Sequence, residues 1–296
     1  MQYLYIKENK EVVHCTSFNS LNKKIYAGQI CQLIDGFRYS SALEIVENSP
    51  FRGNSEILNT LRAMEKRMLF DFEGALDDAR NIRDERLHFL SEELSELARK
   101  NAVYLLLELF YRIENRFKRK DYLEAVASLF SLIEFGLHYI FFLLAKHEGK
   151  IPGYFVVEKV KSEFNDYVEN NPDLKNYLKK GETNYKNASQ VAFRKAIGFI
   201  LNKSENSEAL SKIKNSVESF LKLEEEFGKE KDTDYGKISL RELRNSGPYA
   251  HSTKGINEAL LGRLLSPFTV EGFVEEMVRK PIEDICGKKT DNPFLK

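Results

Sequence analysis

From residue 21 onward, apolar residues fall at helical spacing. In NKKIYAGQICQLIDGFRY, Ile25, Ile30, Leu33, Ile34 and Phe37 sit at steps compatible with one stripe of a helix. Residues 85–115 read as one long amphipathic helix or a broken pair. The strongest signal is 116–147, RFKRKDYLEAVASLFSLIEFGLHYIFFLLAKH. Its second half is apolar nearly all round, which predicts a central buried helix ended by Gly149 and Pro152. Further helices are expected near 155–168, 172–180, 187–202, 207–228, 240–246, 257–265 and 270–286. The SENS cluster at 204–207 marks a helix start, and GKEKDTDYGK at 228–237 reads as a charged loop. The first 20 residues differ. YLYIK and EVVHCTS are short β-branched and aromatic runs flanking ENK, and they predict a small hairpin or two separate strands. Two strands are not stable alone, so the helices after them or a partner must cover them.

A weak echo runs through the helices. Tyr39 and Ala42, Phe72 and Ala75, and Tyr122 and Ala125 each place an aromatic three residues before Ala, with an aliphatic after it. Small Ala lets one helix approach the next. The first two copies are 33 residues apart and the third comes 50 later, so the period fails. Helical hairpins are expected, not a regular solenoid. The fold class read from these patterns is all-α, with a short β segment at 1–20, a helical domain at 21–115 and a helical bundle at 116–296.

Composition narrows the classes of function. The chain has 296 residues, 42% hydrophobic and 30% charged, with Lys+Arg and Asp+Glu at 45 each. No global charge advertises nucleic acid, so any basic site must be local. Seven Pro and 16 Gly suit long helices with short connections. Cys15, Cys31 and Cys286 are scattered without a CxxC, which predicts neither a disulfide framework nor a zinc ribbon and fits a reducing cytoplasm. Charges within the first ten residues argue against a signal peptide, and the most apolar stretch, Phe135 to Ala145, is about eleven residues, too short to span a bilayer. No Gly-rich phosphate loop and no convincing metal spacing occur, so no cofactor and no metal are expected.

The chemistry concentrates in ISLRELRNSGPYAHSTKGINEALL, residues 238–261. Ser239 and Glu242 form a capping box that predicts a helix start near Leu240, and Gly247-Pro248 should end that helix soon after Arg244. Arg244 and Asn245 then sit at a helix end, with His251 just beyond the break. Lys237, Arg241, Arg244 and Lys254 against the single acid Glu242 supply a local positive patch. Such a set suits RNA cleavage by the ribose 2′-hydroxyl. His moves protons near neutral pH, and Arg donates two parallel hydrogen bonds to a phosphate whose charge is building. Spacing alone is weak evidence, because Arg83 and His88 in RDERLH also match it. That pair lies in a continuous charged helical pattern, where residues five apart point about 140° from each other. It has Asp after Arg and no breaker. Context separates the two.

With six residues between Arg244 and His251, RNSGPYAH resembles the motif of HEPN-domain ribonucleases: Arg-Asn, four to six residues, His. RKDYLEAVASLFSLIEFGLHYIF resembles the first HEPN helix. VVHCTSFNSLNKKI and IDGFRYSSALEIV resemble the junction after the sensor domain of type III-A CRISPR-associated (Csm-type) HEPN ribonucleases. The resemblance covers most of the chain. It implies a HEPN bundle at 116–296, with Arg244 and His251 catalytic and Asn245 orienting one of them. It also implies a homodimer with a composite site, single-stranded RNA as substrate, and 2′,3′-cyclic phosphate products. Lys237, Arg241, Tyr249 and Lys254 are the expected substrate contacts. The family's CARF sensor domain is not expected here beyond a remnant at 1–20, so a cyclic oligoadenylate activator is expected only if a CARF domain is supplied elsewhere. No membrane partner is expected. Two rivals are a non-catalytic helical scaffold and a HEPN toxin subunit under antitoxin control.

The remaining candidates carry ordinary readings. Glu134, inside an apolar helix, either pairs with Arg244 or another base or faces a wet groove; His138 is expected to be a packing residue. His14, His88 and His147 are expected at the surface. Tyr235 and Tyr249 stack on bases or serve a core equally well.

Overall fold

The computed structural model describes residues 5–8, 11–14, 18–146, 157–203, 208–233, 236–246 and 258–289. Side chains are described at 21–145, 158–203, 214–233, 236–243 and 258–289. Among the described residues the chain is all-α with two small hairpins, and it divides into two compact units between Asn101 and Ala102.

The first unit begins with β1 (Tyr5–Glu8) and β2 (Glu11–His14), antiparallel with Tyr5 opposite His14 and Glu8 opposite Glu11. The hairpin form expected for this segment is present. Five helices come next: α1 (Phe18–Asp35), α2 (Tyr39–Glu47), α3 (Ser55–Met68), α4 (Phe72–Ala79) and α5 (His88–Ala98). The main packing partners are consecutive: α1 on α2, α2 on α3, α3 on α4 and α4 on α5. Ile30 and Phe37 are buried as the α1 stripe predicted, but Ile25 is 50% exposed and lies off the core face. Arg67, 1% exposed, ties α3 to α5 by donating from both Nη atoms to Glu93 Oε2 at 3.1 Å.

The second unit opens with α6 (Ala102–Lys118) and α7 (Tyr122–Lys146). The expected boundary at 115/116 falls near the end of α6. Residues 116–121 close the α6–α7 hairpin and do not start its second helix. Residues 85–115 are thus the broken pair: a 3-10 turn at Glu85–Leu87, then α5 and α6. The chain continues through α8 (Val157–Glu169), α9 (Pro172–Lys180), α10 (Gln190–Lys203) and α11 (Glu208–Gly228). Residues expected to form a plain loop pair instead as β3 (Lys231–Thr233) and β4 (Gly236–Ile238), with Gly236 at φ 93 serving the turn. Last come α12 (Leu240–Ser246), α13 (Glu258–Leu265), α14 (Val270–Phe273) and α15 (Lys280–Cys286). A π-helical turn at Val274–Arg279 links α14 to α15.

The helical hairpins turn by one recurring device. After α1, α3, α5, α6 and α9, a residue in the left-handed region occupies the position usually given to Gly: Phe37, Phe70, Lys100, Lys120 and Glu182, with φ between 53 and 63. In each, this residue's N–H donates to the carbonyl three back, and the next N–H donates to the carbonyl five back, as Asp121 does to Arg116 at 2.9 Å. These are Schellman caps. The aromatic–Ala echoes mark helix starts: Tyr39, Phe72 and Tyr122 are the first residues of α2, α4 and α7. Ala42, Ala75 and Ala125 are fully buried where those helices dock.

Helix α7 is the core of this unit, contacting α6, α10, α11 and α12. Its Tyr122–Ala145 stretch of 24 residues has a window of mean hydropathy 1.7, long and apolar enough by composition to cross a membrane; 67% of that window is buried inside the protein. The apolar stretch expected from sequence, Phe135 to Ala145, is shorter than this because Ser128, Ser131 and Glu134 interrupt the run before it without ending the helix. Gly136 is the close point: a Cβ there would stand 2.1 Å from Phe220 Cζ on α11. Helix α6 carries a buried ion pair, Glu108 with Arg112 at 3.0 Å, and Glu114 accepts from Arg279 at the end of the π turn.

Candidate RNA-cleavage site

Helix α12 begins where its sequence says it should. Glu242 N–H donates to Ser239 Oγ at 3.2 Å, and Ser239 N–H donates back to Glu242 Oε2 at 2.8 Å. This reciprocal box satisfies two backbone donors that a helix start would otherwise strand. Leu240 and Leu243 are buried and dock α12, which contacts α7. The backbone places Arg244 and Asn245 in the last turn of α12. Their side chains, and all of Tyr249, His251 and Lys254, lie outside the described residues. Tyr235 and His147 do too.

Two expected substrate contacts are described. Lys237 is exposed on β4, opposite Asp232 across the hairpin. Arg241 is half-exposed, and its Nη2 donates to Glu224 Oε1 at 2.7 Å. Glu224 is 4% exposed, and its other oxygen stands 3.0 Å from Arg194 Nη1 on α10. One buried carboxylate therefore holds two guanidinium groups from different helices. They line a cleft of about 680 Å³. A buried carboxylate without partners would be costly, and this one has two cations.

Arg194 and Glu224 escape a reading of the sequence. A signal exists for Glu224: it falls among Val217, Phe220, Leu223 and Phe227, all fully buried on α11. An acid on an apolar face must find a cation. Nothing local points to Arg194, 30 residues earlier.

The other titratable candidates sit elsewhere in the unit. Glu134 lies on an exposed strip of α7, outside the core. His138 is half-buried with its ring 4.4 Å from that of Phe193, and burial pushes its pKa down to about 4. That is a packing environment, as expected for it. Cys286 is half-buried, and burial raises its thiol to about 12; Cys31, in the first unit, is exposed. The control pair separates differently than expected: Arg83 precedes a 3-10 turn and His88 is the exposed first residue of α5, so no continuous helix joins them. The Asp84 cap, which accepts from Arg86 N–H at 3.0 Å, breaks the run.

No family model, curated protein or solved structure matches this chain.

Proposed function

We propose that the chain is a metal-independent endoribonuclease of the HEPN class that cuts single-stranded RNA, acting as a homodimer in CRISPR-linked antiviral defence. The observation that carries the reading is the RNSGPYAH segment at the end of a capping-boxed helix that contacts α7. In this mechanism His251 relays protons between the 2′-hydroxyl and the 5′-oxygen. The 2′-oxygen bonds to phosphorus as the P–O5′ bond breaks, leaving a 2′,3′-cyclic phosphate and a 5′-hydroxyl. Arg244 stabilises the phosphorane charge, and Asn245 orients Arg244 or His251. Each protomer contributes one Arg/His pair to a shared site.

The test is cleavage of an unstructured RNA in the absence of divalent ions. His251→Ala is expected to lower the rate by about 10²-fold or more, and wild-type 3′ ends should resist ligation until repaired. Undiminished cleavage by His251→Ala refutes the reading. The consecutive packing of α1 to α5 favours one rival, a helical scaffold that docks a protein partner. It predicts no RNA cleavage by the wild type.

A further inference from the structure

We infer that the cleft walled by α10, α11 and α12 over the Arg194–Glu224–Arg241 triad holds a backbone phosphate of the RNA strand, flanking the phosphate being cut. The inference rests on the ribonuclease reading and extends it from Arg241 to Arg194 and Glu224, which the sequence did not indicate. Each guanidinium carries five donors in a planar fork, and the Glu224 carboxylate engages only one Nη of each. The second Nη of Arg194 has exposed Glu225 at 3.8 Å, beyond hydrogen-bond distance. Arg241 Nε is shut away from water without an acceptor, so its contact with Glu224 is end-on and not the tighter side-on fork. Both guanidinium groups are half-exposed on the cleft, so an anion there offers acceptors to their outer Nη atoms, though not to the enclosed Arg241 Nε.

The surroundings suit a polymer's phosphate. Gly228 closes α11 against Arg241, where an added Cβ would stand 3.3 Å from Cζ; the missing side chain leaves the guanidinium its place. Lys222 and Lys229 are on the rim, and Glu226 is occupied by Lys231 and Lys229. Phe268 supplies a half-buried aromatic wall. Arg241 and Arg244 are three residues apart on α12, so their positions differ by about 60° around the helix. The cleft thus adjoins the end of the helix from which catalysis is proposed.

The test is fluorescence anisotropy with a labelled, uncleavable 2′-O-methyl RNA, titrated at salt between about 50 and 200 mM. Arg194→Ala is expected to reduce the log–log salt slope by about 0.7, the loss of one single-strand phosphate contact. With cleavable RNA its KM should rise while kcat holds. Lys222→Glu tests the same cleft from a rim position; it should weaken binding without moving the denaturation midpoint. Unchanged salt slopes in both variants would leave the triad as a staple between helices and overturn the assignment. Tight binding of adenosine monophosphate, lost in Arg194→Ala, would assign the cleft to a free nucleotide and overturn it as well. These failures are separate from that of the parent reading, which falls if the wild-type protein neither binds nor cuts RNA.

Discussion

Gly136→Ala offers a sharp test of the packing of the second unit, because the ordinary expectation has the opposite sign. Replacing Gly by Ala inside a helix stabilises it by about 1 kcal/mol. At Gly136, however, the new Cβ would meet Phe220 Cζ at 2.1 Å and its two Cε atoms at 2.7 and 2.8 Å. Carbon atoms rest about 3.5–4.0 Å apart, so the ring must retreat by more than an ångström. Phe220 is fully buried and cannot swing into solvent. Overpacking of this kind costs about 3 kcal/mol at its upper range, for a net loss of about 2 kcal/mol after the helix gain. The internal control is Gly198→Ala on α10, where no atom lies within 4 Å of the added Cβ; it should gain about 1 kcal/mol. Urea unfolding monitored by circular dichroism reads both. Adding Phe220→Leu to Gly136→Ala should recover part of the loss as a favourable coupling. Equal midpoints for the two alanine variants would refute the close approach of α7 and α11.

Two further outcomes concern a half-buried histidine and a strained turn. His138 has a pKa of about 4 when folded against an ordinary 6.5, so between these values the unfolded chain binds a proton that the folded one does not. Stability should therefore fall as pH drops from 6.5 towards 4, by at most roughly 3 kcal/mol. His138→Leu should flatten that part of the denaturation profile, and superimposable wild-type and variant pH profiles would discount the burial. Lys100→Gly relieves a left-handed backbone at φ 63 and should raise the thermal midpoint by the equivalent of about 0.5–1 kcal/mol, whereas Lys100→Val should lower it.

Much of the fold is legible in the sequence because helices announce themselves in period and caps. The capping box at Ser239 and Glu242 marks the start of α12 to the residue, whereas the aromatic–Ala echoes indicate helical hairpins without locating their turns; the structure puts each echo at the start of a hairpin's second helix. Turn positions are harder to read. The standard stop signal is Gly, and five caps here use Phe, Lys or Glu in the same geometry. The α6–α7 turn therefore reads as part of a helix, which displaces the domain boundary. The β3–β4 hairpin escapes because its short strands carry no alternating apolar pattern. At the candidate site, local pattern locates α12 and Arg241, but the Glu224 bridge to Arg194 exists only in three dimensions.

The two units differ in how their contacts map onto the order of synthesis. In the first, each helix finds its main partner in the helix made just before or after it. That unit can assemble as it leaves the ribosome. The second unit is closed by late residues: Arg279 bonds Glu114 across 165 positions, and Lys120 bonds Glu258 across 138. Its core helix α7 is finished long before the segments that complete its shell. A nascent chain therefore carries its apolar centre half-dressed until Glu258 and Arg279 have been made, and the proposed nuclease stays incomplete until then.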